Sequence, residues 1–576
     1  MQPPLQATRR WVFPAAPDAA RVDRLSRELR LPPALCRLLV QRGFGEPDSV
    51  REFLRPHEGQ IHAPQSLAGM GDAVERIVRA IRAGETVLVH GDYDVDGICS
   101  TALFVRALGM MGAKALPFVP HRLQDGYDLS DAGIREAQRI GAALILTGDC
   151  GIVAHDAVER ACSLGIDVIV TDHHTPGPTL PACVAVVNPN RADCPYPDKS
   201  LAGVGVAYKV CCAVADALAF PRARLHAFLD LVAVATIADL APLTGENRAL
   251  VRWGLKVLPQ TPNPGLRALL KITGLLDKGD VSASQVGYVL APRINAVGRM
   301  GEALRGVRLL LTDDDREAHE IALQLETENR WRQSVDGETL KQAMQVLERT
   351  FDPARDWGVV LAEQDWHPGV IGIVASRVVE RIHRPTVLIA LKGDEDGKGS
   401  ARSIPGFHLY EAMRACSGHL ARFGGHRMAA GCSIRPDRVD AFRADFNAHA
   451  HSVLDPDRLI PEVRIDLEVE LHHADENLAR MLRHAGPFGM GNATPVFAAR
   501  RVGVVGDPRV VGEKHLKLTL GAQGRTMDAI GFGMAERGRE PWVAGGPLDV
   551  AFRLEENHYN GRASLQAKIV DLRPAQ

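Results

Sequence analysis

Ten cysteines are scattered along the 576 residues with no C-x-x-C pair, and only Cys211 and Cys212 are adjacent. That pattern excludes a zinc-cluster spacing and a disulfide framework, and it reads as reduced, intracellular thiols. No uninterrupted apolar run is long enough to span a bilayer. The start, Met1-Gln2-Pro3-Pro4, lacks the charged-then-apolar pattern of a secretory leader, so a cytoplasmic protein without a membrane partner is expected. An excess of basic charge is also missing: 68 Lys and Arg stand against 70 Asp and Glu, a formal net charge of −2. Any contact with phosphates must therefore come from locally clustered Lys and Arg. The length exceeds what one core usually serves, so several domains are expected.

What the chain does have is a concentration of acids at strand ends. Thr86-Val87-Leu88-Val89 reads as a buried strand and Gly97 to Phe104 as the first turns of a helix. Between them, His90-Gly91-Asp92-Tyr93-Asp94-Val95-Asp96-Gly97 packs one imidazole and three carboxylates into eight residues. Helix capping has no use for so many. Crowded carboxylates are unfavourable unless cations sit among them, and oxygen-rich sites suit Mg²⁺, with imidazole tilting the choice toward Mn²⁺. The pattern repeats where Ala143 to Thr147 runs into Gly148-Asp149-Cys150, and where Val168 to Thr171 runs into Asp172-His173-His174. A fourth strand, Ala235 to Ala238, is expected to end at Asp239. Ligands of open α/β sheets gather outside the carboxyl ends of the strands, so these ends point at one shared site.

From about Gly71 to Leu258, strands alternate with helical stretches, the mark of a parallel sheet; Val184 to Val187 is a further strand. Thr312 to Arg349 holds no proline and one glycine, which predicts a long connecting helix with a break near Gly337. A second α/β lobe follows, with strands at Val359-Val360-Leu361 and Thr386 to Ile389. Beyond Pro461 the pattern switches to period 2, from Val463 through Ile465, Leu467 and Val469 to Leu471, and an Asn560-Gly561 hairpin turn stands near the end. Short strands with turns between them predict a small barrel. His472-His473-Ala474-Asp475-Glu476 imitates a metal cluster, but Asp475 and Glu476 suit the first turn of a helix, and the run reads as a helix start.

Asp172-His173-His174, taken with the segments around it, resembles the signature of the DHH phosphoesterase superfamily. Within it, Gly91 to Gly97 is similar to the RecJ family of single-strand-specific DNA exonucleases. Further segments carry that likeness: Arg293 to Met300, His367-Pro368-Gly369-Val370-Ile371-Gly372, Ser400-Ala401-Arg402-Ser403 and Gly424-Gly425-His426. The resemblance implies an α/β chain of a DHH-type parallel-sheet domain (71–300), a connecting helix (301–350), a DHH-associated α/β domain (351–453) and a C-terminal OB-like β-barrel (460–576), after an N-terminal extension (1–70). It implies two Mn²⁺ or Mg²⁺ ions. His90, Asp94 and Asp149 would hold one; Asp96, Asp149, His173 and Asp239 would hold the other, with His174 as a further catalytic residue. It also implies that Ser400, Arg402, Gly424, Gly425 and His426 bind substrate phosphate and that Arg122 and Arg299 grip a terminal 5′ phosphate.

The expected activity is 5′-to-3′ exonucleolytic release of mononucleotides from single-stranded DNA, in DNA repair and recombination. Single-strand-binding protein and a RecQ-type helicase are the expected protein partners. A phosphoesterase of small substrates (oligoribonucleotides, cyclic dinucleotides or pyrophosphate) would need neither the barrel nor the long helix. A noncatalytic DNA-binding scaffold would not need the acids and histidines.

Overall fold

The computed structural model of the chain describes residues 9–121, 125–126, 128–300, 303–559 and 562–575. The expected Asn560-Gly561 turn and Arg122 lie outside them. Two compact units emerge: 19–329 with 480–494, and 1–18 with 330–479 and 495–576.

The first unit is built on a five-stranded, all-parallel sheet. Its strand order is Lys114–Phe118, Thr86–Gly91, Ala142–Gly148, Asp167–Thr171, Ala185–Val187. Successive strand residues point to opposite faces, and both faces are covered. Val87 and Val89 pack in one apolar layer with the helices Val95–Met110 and Gly203–Ala217, while Leu88 packs in the other with Ile134, Val158 and Ala161. Burying a side chain such as Leu88 is worth roughly 1.5–3 kcal/mol. The N-terminal helices Ala19–Leu29, Pro33–Gln41 and Pro47–Leu54 belong to this unit as well.

One expected strand is a helix. Ala235 to Ala238 closes the helix Leu229–Ala238, whose residues are buried from Leu229 through Ile237. A short apolar run buried on all sides has no polar face, so periodicity cannot separate helix from strand there. The connecting helix, Asp315–Thr350, is unbroken. A Cβ on Gly337 would meet nothing within 4 Å, so the glycine lies on an open side and costs the helix only about 1 kcal/mol.

The second unit carries two sheets. One is five-stranded, in the order Leu420–Gly425, Ala429–Ile434, Glu395–Arg402, Thr386–Lys392, Val359–Gln364. The other is seven-stranded, and within it Phe497–Val504, Leu548–Tyr559, Arg562–Pro574, Arg525–Gly531 and His515–Ala522 close into a ring, because the first also pairs with the last. This is the small barrel that the period-2 pattern predicts. Arg10–Val12, from the N-terminal extension, pairs in parallel with Glu462–Arg464 beside it. Among the described residues no helix is long and apolar enough to cross a membrane.

Candidate active site

The carboxyl ends of the central strands converge as the parallel sheet requires. Asp94 caps the helix Val95–Met110, its Oδ1 accepting the amides of Asp96 (2.9 Å) and Gly97 (3.1 Å). Asp96, in the first turn and 1 % exposed, accepts the amides of Gly203 and Val204, both at 2.7 Å. Those amides open the helix Gly203–Ala217, so Asp96 sits where two helix N-termini favour negative charge. Asp149 follows its strand with φ +67°, a left-handed conformation that Asp tolerates better than most residues. A Cβ on Gly203 would stand 2.6 Å from Asp149 Oδ1, so only glycine fits there.

The two histidines divide their work. His173 Nε2 lies 3.1 Å from Asp149 Oδ1, 3.7 Å from Asp239 Oδ2 and 3.9 Å from Asp96 Oδ2. His174 Nδ1 lies 2.7 Å from Asp172 Oδ1, which also accepts the amides of His173 and His174. Asp172 Oδ2 accepts the amide of Ile152. Asp172 thus fixes the turn and the ring of His174, and its own oxygens are already engaged. Asp239 follows the Leu229–Ala238 helix as its C-cap, and the next residue, Leu240, is held at φ +60° with its side chain exposed. Such strain in a bulky residue is concentrated at functional sites.

Three groups bring ligand-type atoms within 4.8 Å of one another: Asp92, Asp94 and Asp149; Asp96, His173 and Asp239; and Asp149, His173 and His174. The electrostatics say what they lack. Burial, reinforced by the neighbouring carboxylates, pushes Asp96 and Asp149 well above the ordinary carboxylate range, and Asp239 up to about 7. Burial lowers His173 to about 4, with the charge of His174 adding to it. His174 goes the other way: burial opposes its charge, but Asp172 outweighs that and raises it to about 9. The buried atoms Asp149 Oδ1 and His173 Nε2 have no hydrogen-bond partner. An unbonded oxygen among mutually repelling carboxylates, beside a neutral imidazole, fits divalent cations such as Mn²⁺ or Mg²⁺.

His90 joins none of these groups. It is fully buried, its ring 5.1 Å from that of Phe118, and a Cβ on Gly133 would stand 2.8 Å from its Nε2. Burial lowers it to about 4, so it stays neutral at physiological pH. Its buried Nε2, like that of His173, has no hydrogen-bond partner, and Asp92, 4 % exposed, groups with Asp94 and Asp149. The strand ends at Gly91, and the His90 ring lies against Phe118 and Gly133.

The segment Arg293 to Met300 acts largely as a buttress. Asn295 Oδ1 accepts the amide of Val95 at 3.1 Å, and a Cβ on Gly298 would stand 2.2 Å from the Tyr93 carbonyl oxygen. Both residues hold the Asp92–Asp96 turn, a role that no local signal reveals. Arg299 lies near the end of the helix Ala291–Met300.

In the second unit, Arg402 donates from Nη1 to Ser400 Oγ (3.1 Å) and to the Ala401 carbonyl (2.8 Å). A Cβ on Gly372 would stand 2.9 Å from both Arg402 Nη2 and Ser400 Oγ, so the helix Ile371–Ile382 begins hard against this pair. Gly424 and Gly425 close the strand Leu420–Gly425, and His426, exposed, starts the turn into Ala429–Ile434, its amide donating to the Ala429 carbonyl. Gly425 has φ +141°, where a Cβ would strike Ala429 O. On the barrel, Arg509 and Lys517 stand directly opposite each other on neighbouring strands, a local basic pair in a nearly neutral chain. Arg500 is engaged with Glu468 and Asp549.

Comparison with known proteins agrees with this architecture. Family models match at 86–236 (DHH family, N-terminal domain), 356–452 (DHHA1 domain) and 465–571 (RecJ OB domain). The single-stranded-DNA-specific exonuclease RecJ of Escherichia coli is 38% identical over 568 residues, covering 94% of this chain and 96% of the relative. That of Bacillus subtilis is 36% identical over 570 residues, covering 98% of this chain and 71% of the relative. The crystal structure of Thermus thermophilus RecJ in complex with Mn²⁺ superposes with a TM-score of 0.83 at 34% identity, covering 98% of this chain and 80% of that one. The same protein is also known in complex with Mg²⁺. With its two α/β domains and its barrel each matched by a family model, and relatives 36–38% identical along nearly its full length, the chain belongs to the RecJ family of single-stranded-DNA-specific exonucleases.

Proposed function

We propose that this chain hydrolyses single-stranded DNA from the 5′ end, releasing 5′ mononucleotides, with two divalent cations in the first unit. The observation that carries the reading is the group of buried, unbonded ligand atoms Asp149 Oδ1, His173 Nε2 and His90 Nε2 among clustered carboxylates. His90, Asp94 and Asp149, with Asp92 beside them, are the residues to hold one cation, and Asp96, Asp149, His173 and Asp239 the other. Bound there, the pair would supply charge neutralisation and an activated water for phosphodiester cleavage. The chain's own contribution is to keep these oxygens in place: Asp94 through its cap, Asp96 through the Gly203 and Val204 amides, and His174 through Asp172. His174, raised to about 9, carries a proton at neutral pH and can donate to a phosphate oxygen.

Ser400, Arg402, Gly424, Gly425 and His426 supply the donors for backbone phosphates, and Arg122 and Arg299 grip a terminal 5′ phosphate as guanidinium forks. The barrel holds the strand beyond the scissile bond. The enzyme acts in the cytoplasm in DNA repair and recombination, beside single-strand-binding protein and a RecQ-type helicase that exposes its substrate.

The test is incubation with Mn²⁺ of end-labelled single strands, with and without a 5′ phosphate, alongside a dinucleotide and pyrophosphate. Mononucleotides released from 5′ ends support the reading. Digestion from 3′ ends, or hydrolysis of the small substrates alone, overturns it. Indifference to the phosphate removes only the roles of Arg122 and Arg299. Asp149→Ala should cost at least ~10³ in rate while single-strand binding survives.

A further inference from the structure

We propose that Glu470, His472 and His473, together with Gln523, form a separate surface site for a borderline divalent cation such as Zn²⁺, in the second unit. The run His472-His473-Ala474-Asp475-Glu476 reads as a helix start, and its acids do serve one: Asp475 Oδ1 accepts the amide of Leu478 at 2.8 Å, and the helix begins at Glu476. The histidines are left over from that role. The fold brings them two oxygens from elsewhere. Glu470 precedes the short turn Leu471–His473, and Gln523 lies 51 residues from His472, at the tip of the hairpin joining His515–Ala522 to Arg525–Gly531.

The ligand-type atoms of Glu470, His472 and His473 lie within 4.8 Å of one another. His472 Nδ1 faces two acceptors, Gln523 Oε1 at 3.0 Å and Glu470 Oε2 at 3.3 Å. That nitrogen carries at most one hydrogen, so it cannot satisfy both oxygens. The two imidazole rings lie side by side, their centroids 3.9 Å apart. A cation with imidazole and oxygen ligands resolves the conflict at His472 Nδ1. Imidazole pairs suit Zn²⁺ better than Mg²⁺, and neutral imidazole is the form that binds. Glu470 and His473 are exposed and His472 is half-buried, so a cation reaches the site without rearrangement of the core. Once occupied, it would clasp the turn before the helix Glu476–Ala485 to the tip of a barrel hairpin. It is built from none of the residues assigned above to catalysis or substrate binding.

The experiment is Zn²⁺ uptake by the full chain at neutral pH, counted by equilibrium dialysis and elemental analysis. It compares wild type with the double variant His472→Ala, His473→Ala. Wild type should hold one more Zn²⁺ per chain, and the difference should persist when both also carry Asp149→Ala. Glu470→Gln should weaken the extra binding by about 10-fold or more, and Zn²⁺ should raise the melting temperature of wild type above that of the double variant. All substituted side chains are at the surface, so matching circular dichroism in chelator confirms intact folds. Equal uptake by wild type and double variant overturns the site. Neither readout depends on nuclease activity.

Discussion

Asp96 accepts a 2.7 Å hydrogen bond from the backbone amide of Gly203, a residue 107 positions away. This bond ties the first acidic turn to the start of the Gly203–Ala217 helix and leaves no room for a side chain beside Asp149. Gly203→Ala places a methyl 2.6 Å from the Asp149 carboxylate. Relieving that overlap shifts the carboxylate by roughly 1 Å, and a misplacement of that order in a reacting constellation costs about 10²-fold in rate. Exonuclease assays should show that loss, with weakened Mn²⁺ binding by calorimetry. Val204→Ala, which keeps its amide, is the control. A Gly203→Ala enzyme above half of wild-type rate would detach this contact from catalysis.

Arg402 supplies a charged fork beside Ser400. Losing a charge-assisted bond to phosphate costs about 1.5–3 kcal/mol, or roughly 10- to 100-fold in KM for single strands. Calorimetry on Arg402→Ala should show unchanged Mn²⁺ binding, as should His426→Ala. Lost metal binding with an intact fold would move these residues into the metal site.

Removing the barrel by ending the chain near Asp455 should do more than weaken strand binding. Residues 480–494 pack within the first unit. His484 O accepts from Arg248 (3.3 Å) and Arg252 (2.8 Å), and Met490 O accepts the amide of Leu243 at 2.7 Å. Arg248 is 3 % exposed, and each buried donor left unpaired costs about 1–3 kcal/mol. The truncated enzyme should therefore melt at a lower temperature as well as bind poorly. Arg509→Ala with Lys517→Ala isolates the binding effect. If both side chains touch phosphates, the salt dependence of single-strand affinity flattens by about 0.7 per lost contact, with melting unchanged.

Asp230 sits in the buried helix that leads to Asp239. Burial raises it to about 6 although Thr261 donates to it at 2.5 Å. The folded state thus holds a proton that the unfolded state releases nearer pH 4. Its stabilising contribution is full below about pH 4 and is lost as pH rises to about 6. Asp230→Asn should flatten the dependence of the unfolding midpoint on pH across that window, measured in chelator. An unchanged pH profile would show that Asp230 is ionised at little cost.

Much of this chain is legible in its residues. Strands of a parallel sheet carry continuous apolar runs, and the turns after them must bear whatever polar groups the site uses. Asp94, Asp96, Asp149 and His173 therefore announce themselves by position alone. The period-2 tail likewise announces short strands. Tertiary structure decided what local signals cannot carry. Leu229–Ala238 became a helix because apolar neighbours surround it on every side, which erases the periodicity that would name it. The His90 ring is packed by Phe118 and by Gly133, the latter 43 positions away along the chain. The amide of Gly203, the carbonyl of His484 and the amide oxygen of Gln523 reach their partners across 51 to 236 residues. Local sequence encodes which backbone a segment prefers; only packing of distant segments decides which unpaired groups finally meet.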